Sequence, residues 1–321
     1  MSIYWDAFKQ CAWIPSPKLT EANLPNQAGR VFIVTGGYAG VGKELSKILY
    51  SKNGTVYVAG RSEDKAEGAI EEIKQATPST DGRLEFLMLD LADLASIKGS
   101  VDDFLRREQR LDVLTNNAGV MTPPSGSKAA QGHELQMGTN VLGPYLFTQL
   151  LTPLLQKTAA SSPPGSVRVT WAGSLATVGS PKNGVEFDEQ SNSPKVHGMQ
   201  GLNYGQSKAA NVLLAKEYQT RYFADGIVSN AWNPGNLESE LQRHQPWLMA
   251  KVLSFILYPA VYGAYTELYA GWSEEAGREE MKGAYYGPWG RTVMLRQDVE
   301  NSPNRKRFWE WCEQEAKPYV G

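Results

Sequence analysis

A tyrosine and a lysine four positions apart, Tyr204 and Lys208, form the pair in this sequence that is best suited to acid–base chemistry. On a helix, positions i and i+4 lie on one face. An ammonium beside a phenol stabilises the phenolate and lowers the pKa of the tyrosine from about 10, so the hydroxyl can donate or accept a proton near neutral pH. The Tyr-x-x-x-Lys spacing is a weak signal by itself, because it arises by chance in many helices.

A glycine-rich turn is the second feature with chemical meaning. Val31 to Val34 are apolar and indicate a buried parallel strand. Gly36, Gly40 and Gly42 follow as Thr-Gly-x-x-x-Gly-x-Gly, and a helical pattern begins there. This order predicts a dinucleotide site, because a pyrophosphate must approach backbone amides at a helix N-terminus, where a Cβ would hold it away. A tight turn without a ligand is the alternative for three glycines alone.

The elements that must position these groups alternate along the chain. Apolar patterns predict strands at 31–34, 55–59, 84–89, 111–114, 166–171 and 227–231, and helices over 40–50, 66–73, 94–105, 131–157 and 204–224. We therefore predict an α/β fold with a doubly wound parallel sheet, helices on both faces and right-handed crossovers. Residues 1–29 are interpreted as an N-terminal extension on the outside of a single domain over 30–321.

Composition argues against several classes of protein. The 321 residues are 41% hydrophobic and 21% charged with a net charge of −2, so nothing calls for a nucleic acid or an anionic membrane as partner. Cys11, Cys312 and the three histidines are too scattered to predict a disulfide framework or a metal site. The apolar run from Trp247 to Tyr258 is shorter than the ~20 residues of a membrane helix. We expect a cytoplasmic protein without a signal peptide or a transmembrane segment.

Residues 236–280 depart from the regular pattern and are rich in aromatic side chains, among them Trp247, Phe255 and Tyr262. One interpretation is a substrate lobe that grows out of the same domain and binds a hydrophobic, ring-containing small molecule. A hydrophobic oligomer surface is the competing interpretation, and the residues alone do not separate the two.

Two further motifs complete a recognisable set. Asn116-Asn117-Ala118-Gly119 ends the fourth strand, and Ser174 follows the fifth. With the glycine turn and the Tyr-Lys pair, they make the chain resemble the short-chain dehydrogenase/reductase family from about Arg30 to Gly235. It is most similar to the retinol-dehydrogenase-like branch and to the light-induced alcohol dehydrogenase-like proteins of filamentous fungi. Segments 50–52, 118–124, 233–237 and 308–312 carry that closer likeness, and the resemblance implies a Rossmann fold.

The resemblance implies four catalytic residues. Tyr204 would be the general acid in carbonyl reduction or the base in alcohol oxidation, and Lys208 would lower its pKa and hold the nicotinamide ribose. Ser174 would hydrogen-bond the substrate oxygen. A developing alkoxide needs nearby hydrogen-bond donors, and Ser174 and Tyr204 would supply two. Asn140 would kink its helix and bind a water in the proton relay. A loop serine and a kink residue without catalysis are the structural alternatives.

The choice of cofactor can be argued from charge. An NAD-specific enzyme places an acidic residue at the end of the second strand to bind the ribose hydroxyls. Here Ala59 stands at that position and Arg61 lies just beyond it. A guanidinium suits a 2′-phosphate through bidentate hydrogen bonds, so NADP(H) is favoured. A solvated turn residue is the alternative for Arg61.

The other cofactor contacts follow from the resemblance. They are assigned to Gly36, Tyr38, Gly40, Val41, Gly42, Arg61, Asp90, Leu91, Asn117, Ala118, Gly119, Tyr204, Lys208, Pro234, Gly235 and Leu237. Asp90 and Leu91 would lie near the adenine, although Asp90 could instead be a helix N-cap. Pro234 and Gly235 would approach the nicotinamide.

Three positions depart from the family pattern. Ser174 and Tyr204 are 30 positions apart, longer than usual, and the insertion is expected to border the pocket. No threonine follows Pro-Gly, so Ser239 or backbone must contact the carboxamide, or that contact is absent. Tyr38 stands where a small polar residue is common, so its ring is expected to cover part of the phosphate loop.

The sequence thus predicts an NADP(H)-dependent oxidoreductase that moves a hydride between nicotinamide and a carbonyl or secondary alcohol of a hydrophobic molecule. A non-redox cyclase, dehydratase or isomerase with NADP as a spectator is one alternative. An NADP-binding sensor protein is another. A homodimer through helices around 93–108 and 135–157 is a further expectation, which an irregular C-terminal region could block.

Overall fold

The sheet of the computed structural model, which describes residues 3–12, 14–237, 257–278 and 283–320, contains eight strands within those ranges. They are β1 (Val31–Thr35), β2 (Thr55–Gly60), β3 (Arg83–Met88), β4 (Val113–Asn116), β5 (Val167–Ala172), β6 (Ile227–Trp232), β7 (Tyr285–Gly287) and β8 (Arg291–Thr292). Their spatial order is β8-β7-β6-β5-β4-β1-β2-β3, and only the β7–β8 pair is antiparallel. The predicted doubly wound parallel sheet is confirmed, with its switch point between β1 and β4.

Helices cover both faces of the sheet. The longer ones are α1 (Ile3–Cys11), α2 (Gly40–Ser51), α3 (Glu63–Ala76), α4 (Leu94–Arg107), α5 (Gly143–Ala159), α6 (Gln200–Tyr222), α7 (Ala260–Trp272) and α8 (Arg305–Ala316). Alternate residues of β1 belong to different cores: Val31 and Ile33 pack on the side of α4, α5, α6 and α8, and Phe32 and Val34 pack on the side of α2 and α7. Because β1 is buried on both faces, it is an uninterrupted apolar run.

The helix predicted over 131–157 begins later and is not uniform. A short helix at Leu135–Met137 passes into a π-helical turn at Gly138–Leu142, and α5 then continues to Ala159. The turn widens the backbone around Asn140, which agrees with the expected kink. Pro144 stands at the start of α5, directly after the π-helical turn.

The C-terminal part of the chain is more regular than its sequence predicts. It adds strands β7 and β8 to the sheet, and α7 packs against α2 with Ala264 and Leu268 in the core. Helix α8 covers α5 and α6, with the ring of Trp309 5.0 Å from that of Tyr145. A homodimer through α4 and α5 would have to use the surface that α8 leaves open.

The first 29 residues are not only an outer covering, because they contain α1, and its Gln10 is buried. Within the described ranges, every helix is too short or too polar to span a lipid bilayer.

Candidate active site

A cavity of about 690 Å³ opens at the carboxyl end of the sheet, beside the switch point where such folds bind ligands. Its wall brings together segments that are far apart in sequence: the turn after β1, the ends of β2, β3 and β4, Ser174 after β5, Tyr204 on α6 and the segment after β6. Among the predicted site residues, Gly42, Asn140 and Lys208 are not on this wall. They lie directly behind it.

The turn after β1 forms a cradle of backbone amides. Gly36 and Gly40 have φ values of 67° and 50°, which side chains other than glycine rarely adopt. Helix α2 begins without a side-chain cap, so its first N–H groups are free to receive an anion. A Cβ on Gly42 would lie 2.6 Å from the Gly36 carbonyl oxygen, so this glycine allows the helix to pack close beneath the turn.

The ring of Tyr38 lines the cavity at the end of β2. A Cβ on Gly60 would lie 2.2 Å from its ring carbon Cε1, so only glycine there leaves room for the ring. The Tyr38 ring therefore packs over Gly60 at the end of β2.

The β2–α3 junction carries the positive charge of the cavity. Ala59 is fully buried, and Arg61, Ser62 and Lys65 line the wall beyond it. Neither Arg61 nor Lys65 forms an ion pair with any of the described residues. Lys43 is instead paired with Glu72, away from the phosphate turn. Ser62 and Lys65 were missed in the sequence, although Lys65 stands four positions after Arg61 in the first turn of α3.

Asp90 lies in the cavity wall after β3, beside Leu91. Its Oδ1 accepts a hydrogen bond of 2.9 Å from the backbone N–H of Ala92. The N-cap of α4 is Asp93, whose side chain accepts from the N–H of Ala95. The alternative of Asp90 as a helix N-cap is therefore wrong.

Thr35 fixes the loop after β4, and sequence reasoning missed it. Its Oγ1 accepts hydrogen bonds of 3.0 Å from the backbone N–H groups of Asn117 and Ala118 and donates to the Thr115 carbonyl. The Asn117 side chain donates back to the Thr35 carbonyl at 2.8 Å. These bonds join the ends of β1 and β4, so Asn117, Ala118 and Gly119 are held rigidly along the cavity.

Asn140 connects this loop to α6. Its Oδ1 accepts from the N–H of Val120 at 2.7 Å, and its Nδ2 donates to the Val120 carbonyl at 3.0 Å and to the Ser207 Oγ at 3.1 Å. A Cβ on Gly119 would lie 3.0 Å from the Asn140 Oδ1 and 3.3 Å from the Lys208 Nζ. Gly119 thus separates the cavity from both of these buried side chains.

Ser174 and Tyr204 meet at the other end of the wall. The Ser174 hydroxyl accepts from the N–H of Ala176 at 3.2 Å and is hydrogen-bonded to the Tyr204 hydroxyl. The hydroxyl of Tyr285, on β7, donates to the Ser174 carbonyl at 2.9 Å and so holds the turn that carries the serine. The Lys208 Nζ lies 5.7 Å from the centre of the Tyr204 ring and donates to the Ala172 carbonyl at 3.2 Å.

Burial is the largest influence on the pKa values of Tyr204 and Lys208. Desolvation raises the pKa of Tyr204 to about 12, and the hydrogen bond with Ser174 opposes that rise. Desolvation also lowers the pKa of Lys208 to about 8. The expected lowering of the Tyr204 pKa is therefore not found in this structure, because the cost of a buried phenolate outweighs the stabilising contacts.

The segment after β6 closes the cavity. Gly235 has a φ of 86°, and a Cβ there would lie 2.8 Å from both Pro288 and Trp289. Leu237 lines the wall and forms a parallel bridge with Tyr258. Three residues considered above for the carboxamide contact and the substrate lobe lie outside the described residues: Ser239, Trp247 and Phe255.

The insertion between Ser174 and Tyr204 does not border the cavity as expected. None of the residues between these two belongs to the described wall. The insertion forms a turn at Leu175–Gly179 and a small hairpin, and Arg296 donates to its carbonyls at Val178, Ser180 and Pro181. It therefore packs on the C-terminal segment.

The charged residues in the described wall are Arg61, Lys65 and Asp90, and all of them belong to the β2 and β3 end. The rest of the described wall is uncharged. Its apolar members include Val120, Met121, Pro123, Pro124, Leu135 and Leu257, and Ser127, Thr139 and Asn236 are polar members.

Comparison with known proteins gives consistent matches. The family model described as short chain dehydrogenase matches residues 30–169. A short-chain dehydrogenase/reductase of Phomopsis amygdali is 47% identical over 318 residues, covering 95% of both chains. The relative pkfC of Emericella nidulans is 43% identical and covers 95% of this chain and 98% of its own.

Solved structures share the fold. An uncharacterized protein of Mycobacterium paratuberculosis is 28% identical with a TM-score of 0.68, covering 94% of this chain and 98% of its own. RhlG of Pseudomonas aeruginosa, solved as an NADP active-site complex, is 24% identical with a TM-score of 0.63, covering 81% of this chain and 94% of its own.

Proposed function

The chain belongs to the short-chain dehydrogenase/reductase family, and we propose that it is an NADP(H)-dependent oxidoreductase acting on a carbonyl or secondary alcohol of an apolar molecule. One observation carries the proposal. The hydroxyls of Ser174 and Tyr204 stand on the wall of the same cavity as the glycine turn and the Arg61 side chain.

The cavity fits a nicotinamide dinucleotide phosphate. Gly36, Gly40 and the uncapped start of α2 supply backbone N–H groups for a pyrophosphate. Arg61 and Lys65 supply two cations for a 2′-phosphate, where an acidic residue would repel it. The same fold holds NADP in the RhlG complex. Pro234 and Gly235 would border the nicotinamide, and Leu237 would lie beside it.

The residues of the chain supply the proton. When bound, NADPH supplies the hydride for the carbonyl carbon. Ser174 donates a hydrogen bond to the carbonyl oxygen, and Tyr204 gives that oxygen its proton. With a pKa of about 12 the Tyr204 hydroxyl is protonated at neutral pH, which suits a general acid. The Lys208 ammonium, 5.7 Å from the ring centre, stabilises the phenolate that remains.

The chemistry of the wall indicates the class of substrate. Since the described wall around Ser174 and Tyr204 carries no charge, a charged substrate group would lose its hydration without gaining a partner. We therefore propose a neutral, largely apolar ketone or aldehyde as the substrate in the reductive direction.

The spectator-cofactor and sensor alternatives differ from this proposal in one respect. Neither needs the hydroxyl of Tyr204 to take part in reduction. Ser174 and Tyr204 stand together on the cavity wall, which favours an enzyme over a sensor protein. A non-redox enzyme would use the same two hydroxyls, so a test of hydride transfer is needed to distinguish it.

The variant Tyr204→Phe tests the proposal. We expect it to reduce NADPH-dependent turnover of apolar ketones by at least about 100-fold, because general acid catalysis contributes roughly that much. NADPH binding, measured by nucleotide fluorescence, should remain close to that of the wild type. Tyr145→Phe, which alters a buried tyrosine packed against Trp309, is the matched control. Undiminished turnover in Tyr204→Phe would contradict the assigned role.

A further inference from the structure

The N-terminal helix α1 is fastened to the C-terminal edge of the sheet. The Lys9 carbonyl accepts a hydrogen bond of 2.8 Å from the Arg291 guanidinium. The Asp6 Oδ2 accepts one of 3.1 Å from the backbone N–H of Met294. These contacts hold the helix in a fixed position relative to β7 and β8.

From this helix the Gln10 side chain reaches the interior, where it is only 3% exposed. Its Nε2 donates to the Asp6 Oδ2 at 2.9 Å, and its Oε1 accepts from the Asn233 Nδ2 at 2.8 Å. A carboxylate can only accept hydrogen bonds. The Gln10 amide nitrogen must therefore face Asp6, and the Gln10 amide oxygen faces Asn233.

The contact with Gln10 fixes the orientation of the Asn233 side-chain amide, and this orientation determines how Asn233 contacts the cavity wall. Because its Nδ2 faces Gln10, its Oδ1 faces the backbone N–H of Gly235 and accepts a hydrogen bond of 3.1 Å. Gly235 stands at a φ of 86° on the wall, in the turn that would border the nicotinamide. If the Asn233 amide rotated, its NH₂ group would face the Gly235 N–H and leave a donor unpaired.

We propose that Gln10 is a positioning residue for the Asn233-Pro234-Gly235 turn, so that the N-terminal extension forms part of the nicotinamide side of the cofactor site. This inference rests on the proposed function. Gln10 acts through Asn233, and it is not among the residues of the described wall. Its effect should therefore be confined to the nicotinamide half of the dinucleotide.

Binding of two nucleotides to Gln10→Leu tests the proposal. NADPH contains the nicotinamide half, and 2′,5′-ADP contains only the end that Arg61 and Lys65 would hold. We expect Gln10→Leu to weaken NADPH binding about tenfold, the effect of losing a buried hydrogen bond. Binding of 2′,5′-ADP, measured by calorimetry, should not change.

Two further variants separate positioning from stability. Gln27→Leu removes another buried glutamine of the extension, one that contacts Arg30 and Pro25, and it should bind both nucleotides as the wild type does. The double variant Gln10→Leu/Asn233→Leu should weaken NADPH binding no more than Asn233→Leu alone, because Gln10 acts through Asn233.

The results distinguish this inference from the function on which it rests. Equal NADPH affinity in Gln10→Leu and the wild type would overturn the positioning role alone. Equal weakening of both nucleotides would also overturn it, since that result indicates a general loss of structure. A wild-type protein that binds no NADPH would overturn the proposed function and the inference with it.

Discussion

At the scale of single residues, the proposed preference for NADP(H) rests on two exposed cations. Arg61 and Lys65 stand at the β2–α3 junction without an ion-pair partner among the described residues. Arg83, on the neighbouring strand β3, is instead paired with Glu108. A cation that is left unpaired beside a cavity is available to an anionic group of a ligand.

We expect Arg61→Ala to weaken NADPH binding by about 10- to 100-fold and to leave NADH binding nearly unchanged, because a charge-assisted hydrogen bond contributes roughly 1.5–3 kcal/mol. Titration of both nucleotides by fluorescence measures the ratio. Arg106→Ala, which removes an exposed arginine of α4 paired with Asp103, is the control. A parallel loss for NADPH and NADH would show that Arg61 does not contact a 2′-phosphate.

The sequence predicted most of the chemical groups at this scale, but not those that hold them. Gly36, Ser174 and Tyr204 stand on one wall of the cavity. Thr35 and Gln10 were missed because their roles depend on partners about 80 and more than 220 positions away. The raised pKa of Tyr204 could not be predicted either, since it depends on burial.

At the scale of elements, helix α7 places an ionisable side chain, Glu267, in the core. Glu267 is fully buried, and neither carboxylate oxygen has a hydrogen-bond partner among the described residues. Gly263, one turn earlier, lets the helix approach Leu237 and Val41 closely. Burial raises the pKa of Glu267 well above its ordinary value, so the carboxyl is held in its neutral form.

This burial predicts a pH dependence of stability. Because the folded-state pKa of Glu267 is raised, the folded protein keeps a proton that the unfolded chain releases above about pH 4.5. Its contribution to stability is therefore complete below that pH and is lost as pH rises toward the folded-state pKa. We expect Glu267→Gln to become more stable relative to the wild type as the pH rises from 5 to 8, because glutamine has no proton to lose.

Urea unfolding at pH 5 and pH 8 measures this effect. The exposed Glu274, just beyond the same helix, provides the control Glu274→Gln. A Glu267→Gln variant whose stability relative to the wild type is the same at both pH values would contradict a buried neutral carboxyl.

The alternation of strands and helices was predictable from apolar period alone, but local irregularities were not. The π-helical turn at Gly138–Leu142 depends on the contacts of Asn140 with Val120 and Ser207. Strands β7 and β8 have three and two residues, too few for an alternating pattern. Their place at the sheet edge is set by tertiary pairing of β7 with β6 and of β8 with β7.

At the scale of the whole molecule, the sheet brings Arg61 and Lys65 into one cavity of about 690 Å³ with Ser174 and Tyr204. The sequence alone could identify the family and the fold, because short motifs stand at the ends of strands that alternate with helices. The N- and C-terminal segments complete the site from outside that pattern. Their contribution, through Gln10 and Tyr285, became visible only in three dimensions.

The central claim is that the chain moves a hydride with bound NADPH and a proton from Tyr204. The most direct test follows deuterium from NADPH, with both hydrogens at the nicotinamide C4 replaced by deuterium, into the alcohol formed from each of a panel of neutral apolar ketones and aldehydes. We predict one deuterium at the carbinol carbon of the product, and product formation at least about 100-fold slower with Tyr204→Phe. NADPH that binds tightly while products form without deuterium would contradict the claim and favour a spectator cofactor.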